Sequence, residues 1–182
     1  MAVEPRRLLT YDDYVAFPDD GIRREILDGE VYELSAPNVR HQRLVLRVLR
    51  ALADHLDIHG GGEAFVSPID VLLSDHDVVQ PDVVYVADDR AGIVTAPNLA
   101  GTPSIAVEVV SDPRHDRVRK RALYARAGVP EYWIVDPESD RLEVHRLDHG
   151  GYAKPEILEA GDTLTTPLLP GFALDVAVLF QR

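Results

Sequence analysis

The stretch Ile105-Ala106-Val107-Glu108-Val109-Val110 constrains the fold of this chain more than any other. Its apolar residues are bounded by Gly101-Thr102-Pro103 and Ser111-Asp112-Pro113, which predicts a strand buried on both faces of a sheet. Glu108 stands in the middle of that run. A buried carboxylate without a partner costs several kcal/mol, so a cation or a hydrogen-bond donor has to meet it. Val83-Val84-Tyr85-Val86 reads as a matching core strand, and it begins directly after Pro81-Asp82. Laid side by side, the two strands bring Asp82 and Glu108 together at one end of the sheet.

After Pro113 the apolar period changes from two to 3.6, predicting a helix over 116–127. Asp116, Lys120, Leu123 and Ala127 share one face of it, while Arg117 and Arg121 lie well round from that face. A lysine turned toward an apolar sheet needs carboxylates or a substrate anion to meet it. Two carboxylates and a lysine at such an edge form the inventory for metal-dependent phosphodiester hydrolysis. Asp82 and Glu108 would hold the ion, and Lys120 would orient or activate its water and offset charge on phosphorus.

Pro81-Asp82, Glu108-Val109-Val110, Asp116, Lys120 and the block Leu123-Tyr124-Ala125-Arg126-Ala127-Gly128-Val129-Pro130-Glu131-Tyr132-Trp133-Ile134-Val135-Asp136-Pro137 resemble the Uma-two family of restriction-endonuclease-like proteins. That family falls within the PD-(D/E)xK nuclease superfamily. The resemblance extends to Arg24-Glu25-Ile26-Leu27-Asp28-Gly29-Glu30, Arg40-His41-Gln42 and Pro167-Leu168-Leu169-Pro170-Gly171-Phe172. One departure stands out: Val110 occupies the place of the superfamily's lysine, two residues after the glutamate. The resemblance implies that Lys120, on the following helix, takes that role. It also implies Mg2+ as cofactor, with Mn2+ as a substitute, nucleic acid (DNA first) as partner, and a homodimer, since cutting two strands usually takes two sites.

The charge balance limits how such a protein meets DNA. With 19 basic and 31 acidic residues the net charge is -12, which repels a polyanion beyond a screening length of about 8 to 10 Å. Sequence-independent coating of DNA is therefore excluded, and local patches have to do the binding. Between Asp112 and Arg126 lie Arg114, Arg117, Arg119, Lys120, Arg121 and Arg126, against only Asp112 and Asp116. The chain has no cysteine, which excludes disulfides and thiolate metal sites. No apolar run nears the roughly 18 residues of a membrane span, and Met1 to Arg7 lacks an apolar signal core, so a cytoplasmic protein is expected.

Elsewhere the signals are local. Thr10 followed by Asp13 predicts a capped short helix. Asp28-Gly29 predicts a two-residue hairpin joining 22–27 to 30–34. Glu25 lies in the first hairpin strand; the resemblance makes it an accessory acid, and the plainer alternative is a solvent-facing carboxylate. The longest helical pattern runs from Asn38 to about Ile58, with Val45, Val48, Leu49, Leu52 and Leu56 on one side and Arg40, Arg43, Arg47 and Arg50 on the other. His41 falls on its apolar face, either as a partner of substrate or water or as a helix-start residue satisfied by the backbone. The arginine stripe is a phosphate or subunit contact, or simply a solvated face.

His55 and His59 have helical metal spacing, but a helix end before Gly60-Gly61-Gly62 accounts for them as well. Phe65 to Leu73 reads as one strand interrupted by Pro68, and Ser74-Asp75-His76-Asp77 as a hairpin tip. The irregular segment from Asp88 to Pro103 joins the strands of Asp82 and Glu108, and it is expected to border the substrate cleft. Tyr132 and Trp133 read as core aromatics in preference to base-stacking ones. The tail from Phe172 to Phe180 is expected to dock back onto the core.

These signals together predict one α/β domain over 1–182, a restriction-endonuclease-like mixed central sheet flanked by helices, with an N-terminal β-hairpin. The expected function is Mg2+-dependent endonuclease-like hydrolysis of nucleic acid, with Asp82, Glu108 and Lys120 as catalytic residues and Glu25, His41 and Asp116 as accessory ones. Two alternatives stay open: a catalytically silent binding or scaffold relative, and a metal hydrolase of a small phosphate ester.

Overall fold

The computed structural model describes residues 7–181. The leading stretch considered above as a signal segment lies, up to Arg6, outside the described residues. The chain opens with α1 (Tyr11–Val15), whose N-cap Thr10 forms the expected reciprocal box with Asp13. Strands β1 (Arg24–Leu27) and β2 (Glu30–Glu33) pair antiparallel across Asp28 and Gly29, both at positive φ (53° and 72°). This is the turn conformation for which an Asp-Gly pair is suited. The long helix α2 (Val39–His59) follows, capped by the Asn38 side chain on the His41 amide.

Where one interrupted strand was expected over 65–73, the chain makes two. β3 (Gly62–Val66) and β4 (Val71–Ser74) belong to different sheets, and the break falls at Ser67-Pro68, where proline has no N–H to extend a ladder. Asp70 therefore lies between strands, not within one. After β4 come β5 (Asp77–Val79) and β6 (Val83–Ala87), then a short 3-10 stretch, then β7 (Ile105–Val109). A π-helical stretch (His115–Lys120) runs into α3 (Arg121–Ala127). The chain continues through β8 (Glu131–Asp136), β9 (Arg141–Asp148), β10 (Gly151–Tyr152), β11 (Glu156–Leu158), β12 (Thr163–Leu164), β13 (Leu174–Asp175) and α4 (Val176–Phe180).

The central sheet has seven strands, ordered β10-β9-β8-β7-β6-β3 with β11 added beside β9, and the β7–β8 pair is parallel. A parallel neighbour requires a crossover, which the π stretch and α3 supply. A second sheet, β2-β1-β5-β4, carries the N-terminal hairpin. The two-residue period of β7 sends Ile105, Val107 and Val109 into the core shared with α2 and the C-terminal segment. Ala106 faces the opposite core, with Leu123 and Tyr124 of α3 and Leu27, Val71 and Val79 of the smaller sheet. Glu108 shares the parity of Ala106, so it points toward α3.

The tail docks as expected: Val176, Leu179 and Phe180 join the α2 core, and the Arg47 guanidinium donates to the carbonyls of Leu179 and Gln181. Arg40 likewise bonds Pro137 O and Asp140, and Arg50 pairs with Asp54 on its own helix, so three of the four arginines of the α2 stripe are engaged within the chain itself. Tyr132 and Trp133 are fully buried core residues. Among the described residues no helix is long and apolar enough to cross a membrane.

Candidate active site

The β6–β7 register pairs Val83 with Val107, and continuing it one step sets Asp82 opposite Glu108. The Asp82 carboxylate turns back onto β7, where its Oδ2 accepts the Val109 amide at 2.8 Å. The same oxygen lies 3.1 Å from His41 Nε2, delivered by the first turn of α2. Glu108 Oε1 accepts from Lys120 Nζ at 2.8 Å and from the Tyr124 hydroxyl at 3.0 Å. All three residues expected from the sequence to be catalytic are thus gathered at one rim and buried, Asp82 at 7%, Glu108 at 4% and Lys120 at 2% exposure.

Glu25 is not solvent-facing. It is completely buried, with Oε1 at 2.8 Å from Lys120 Nζ and accepting the Gln80 amide at 2.6 Å, and with Oε2 at 2.8 Å from His115 Nε2. Lys120 therefore bridges two acids from different sheets. His115 was not singled out in the sequence, because nothing local connects it to a residue in the N-terminal hairpin. The wide π turn brings it there: His115, Asp116 and Lys120 all turn inward, a use of π geometry common at functional sites.

Asp116 and Lys120, four apart on one helical face, form no salt bridge with each other among the described residues, where Lys120 pairs with Glu25 and Glu108. Asp116 Oδ2 instead accepts the amides of Ser111 and Asp112, and it fixes the turn between β7 and the π stretch. The 88–103 segment does not reach the site either. The pocket at Asp82 and Glu108 lies where β6 begins and β7 ends, whereas that segment joins the end of β6 to the start of β7, at the far end of an antiparallel pair. His55 packs on His59 and on Phe172, away from this site.

The electrostatics follow from one cation among four acids. Burial drives Glu108 well above the usual carboxylate range; Lys120 opposes this, and Asp82, Asp116 and Glu25 add to it. Burial pushes Glu25 the same way, but Lys120, His115 and the Gln80 amide outweigh it and hold the group at about 2. The two acids touch the same ammonium at the same distance; they differ because three neighbouring carboxylates raise Glu108, whereas the His115 and Gln80 donors lower Glu25. Burial works to deprotonate Lys120, yet Glu108, Glu25 and Asp116 raise it above its ordinary value, so the amine stays an ammonium. Burial also raises Asp116, against Lys120 and its two amide donors.

His41, Gln80, Asp82, Glu108, Asp116 and Lys120 line a cavity of about 30 Å³, room for one or two water-sized species. The second oxygens of Asp82, Glu108 and Asp116 accept no hydrogen bond among the described residues. His41 Nδ1 is the buried side-chain atom there that lacks a partner. No group of three or more metal-ligating side chains is closed around a common point among the described residues. Mg2+, however, commonly takes one or two carboxylates and keeps its waters. Surplus acid, free carboxylate oxygens and a water-sized cavity fit such an ion.

Comparison with known proteins agrees with this architecture. A family model, Uma2, described as "Putative restriction endonuclease", matches residues 11–177. A solved structure from Anabaena variabilis, described as "a putative nuclease belonging to DUF820", superposes with a TM-score of 0.79. The two sequences are 17% identical, and the match covers 94% of this chain and 97% of that one. No curated protein matches this chain significantly.

Proposed function

Since the chain belongs to the Uma2 family, we propose that it is a metal-dependent nuclease that hydrolyses phosphodiester bonds at the Asp82–Glu108–Lys120 rim, with DNA as its substrate. The observation that carries this reading is the Lys120 ammonium, clamped at 2.8 Å by both Glu25 and Glu108 beside a small cavity edged with free carboxylate oxygens. The arrangement suits the PD-(D/E)xK scheme, with the lysine supplied by the crossover helix in place of Val110.

Asp82 and Glu108 would hold Mg2+ or Mn2+, and that ion would supply an activated water and offset charge on the phosphoryl oxygens. Lys120 remains protonated, so it does not take the proton from water. It orients the carboxylates and any solvent they hold, and it presents positive charge where negative charge develops. Glu25, with His115 and the Gln80 amide, fixes the ammonium in place, and Asp116 fixes the turn that carries it. His41 restrains Asp82 through Nε2. A homodimer, which would offer one site to each strand, belongs to the same reading and is checked by analytical ultracentrifugation.

The test is cleavage of duplex and single-stranded DNA with Mg2+ or Mn2+, comparing wild type with Asp82→Asn and Glu108→Gln. Metal-dependent cutting that both variants lose is the expected result. Metal binding without cleavage would leave a scaffold relative. Turnover of a small phosphate ester alone would assign the chain to the hydrolase class that its acidic surface also suits.

A further inference from the structure

The catalytic cavity has a much larger neighbour. A pocket of about 440 Å³ opens between α1, the entry to β1 and the stretch before β6, and it shares Arg23 and Gln80 with the catalytic cavity as a common wall. That volume lies within the range of about 300–1,000 Å³ typical of small-molecule sites. Its apolar side is built from Tyr14, Phe17 and the exposed Ile22. Its floor is a polar network: the Tyr14 hydroxyl donates to Asp70 Oδ1 at 2.7 Å, and Gln80 Nε2 lies 2.9 Å from the same oxygen.

Arg23 sets the junction apart. Its Nε donates to Gln80 Oε1 at 3.0 Å and its Nη2 to Ser67 Oγ at 2.5 Å, both neutral acceptors. Among the described residues no carboxylate pairs with it. Arg24, the other arginine lining the larger pocket, is neutralised by Asp20 and Glu33. A half-buried guanidinium, oriented by neutral groups and left with its charge uncompensated, is built to receive an anion.

We propose that Arg23 binds a substrate phosphate next to the scissile one, and that the Tyr14–Phe17 pocket takes the nucleobase attached to it. The placement follows from charge. Phosphate cannot lie deep in a pocket that also presents Asp19 and Asp70, whereas a base can set its ring against aromatic side chains and donate its amino group to a carboxylate. A base can enter only after leaving the duplex stack, so the site selects an unpaired nucleotide. The inference takes its substrate from the nuclease reading above.

The experiment is fluorescence anisotropy in EDTA, so that no cleavage is needed, with a labelled single-stranded deoxyoligonucleotide of about ten nucleotides. An abasic strand of the same length and a blunt duplex serve as comparisons. Wild type is expected to bind the single strand more tightly than the duplex. Arg23→Gln should weaken that binding about tenfold and lower the salt-dependence slope by about 0.7, the loss of one phosphate contact. Phe17→Ala should weaken binding of the normal strand about tenfold and leave the abasic strand unaffected. Should Arg23→Gln fail to fold, the Phe17→Ala comparison between normal and abasic strands decides alone.

Wild-type-like binding by either folded variant overturns the pocket, as does a wild type that binds no oligonucleotide. A wild type that cleaves while both variants bind normally sinks the pocket and spares the nuclease reading. Arg23-dependent binding without metal-dependent cleavage does the reverse.

Discussion

Replacing Lys120 by methionine removes the ammonium that offsets the repulsion between Glu25 and Glu108 while leaving a side chain of similar length. Both Oε1 atoms lie 2.8 Å from Nζ, so the two buried oxygens are no more than twice that distance from each other. Breaking a buried pair by deleting one partner costs about 3–5 kcal/mol. For a chain of this size each kcal/mol shifts Tm by about 2–4 °C, so Lys120→Met should melt roughly 6 to 20 °C lower at pH 8. The loss should also depend on pH. Without the ammonium, Glu25 is no longer held at about 2, and burial moves it upward as it already moves Glu108. A carboxylate whose folded value exceeds its unfolded one penalises the fold as pH rises through that interval, and the penalty disappears below it. The deficit relative to wild type should therefore shrink between pH 8 and pH 5. Urea unfolding followed by the fluorescence of the single, buried Trp133 measures both quantities. The double variant with Glu25→Gln should recover much of the loss, since only one acid then lacks its cation. A deficit below about 1 kcal/mol, or one unchanged across that pH range, would refute the reasoning.

Three further outcomes follow from the same geometry. Asp82→Asn should lose Mg2+ binding in titration calorimetry while keeping the Val109 and His41 contacts within reach of its amide, so a wild-type affinity would remove Asp82 from the site. Glu25 is depressed to about 2 from an ordinary value of 4.5, so its contribution is complete above about pH 4.5 and is lost as pH falls toward 2. That loss is roughly 3 kcal/mol, and Glu25→Gln should flatten the acid limb of a stability–pH curve. Gly62→Ala should destabilise by about 2 kcal/mol or more on denaturant titration, because φ is 145° and an added Cβ would lie 2.1 Å from the Val86 carbonyl oxygen.

Much of this fold is local enough to be read along the chain. The Thr10–Asp13 box, the Asp28-Gly29 turn and the α2 stripe each depend on residues within a few positions of one another, where backbone sterics and hydrogen bonds decide. The apolar run around Glu108 likewise announced a buried acid that needed a partner, and Lys120 is that partner. The sequence alone therefore pointed to Asp82 and Glu108 at neighbouring strand ends and to Lys120 as the cation that meets Glu108. What it left open depended on which distant surfaces meet. Only the docking of the smaller sheet onto the central one buries Glu25 against Lys120, and only the widened π turn swings His115 onto the same carboxylate. The antiparallel sense of β6 and β7 removed the 88–103 segment from the site, and the sharing of a wall by two cavities gave Arg23 its position. Periodicity records which face of an element is apolar; which charged group waits on the opposing element is fixed only when the chain closes.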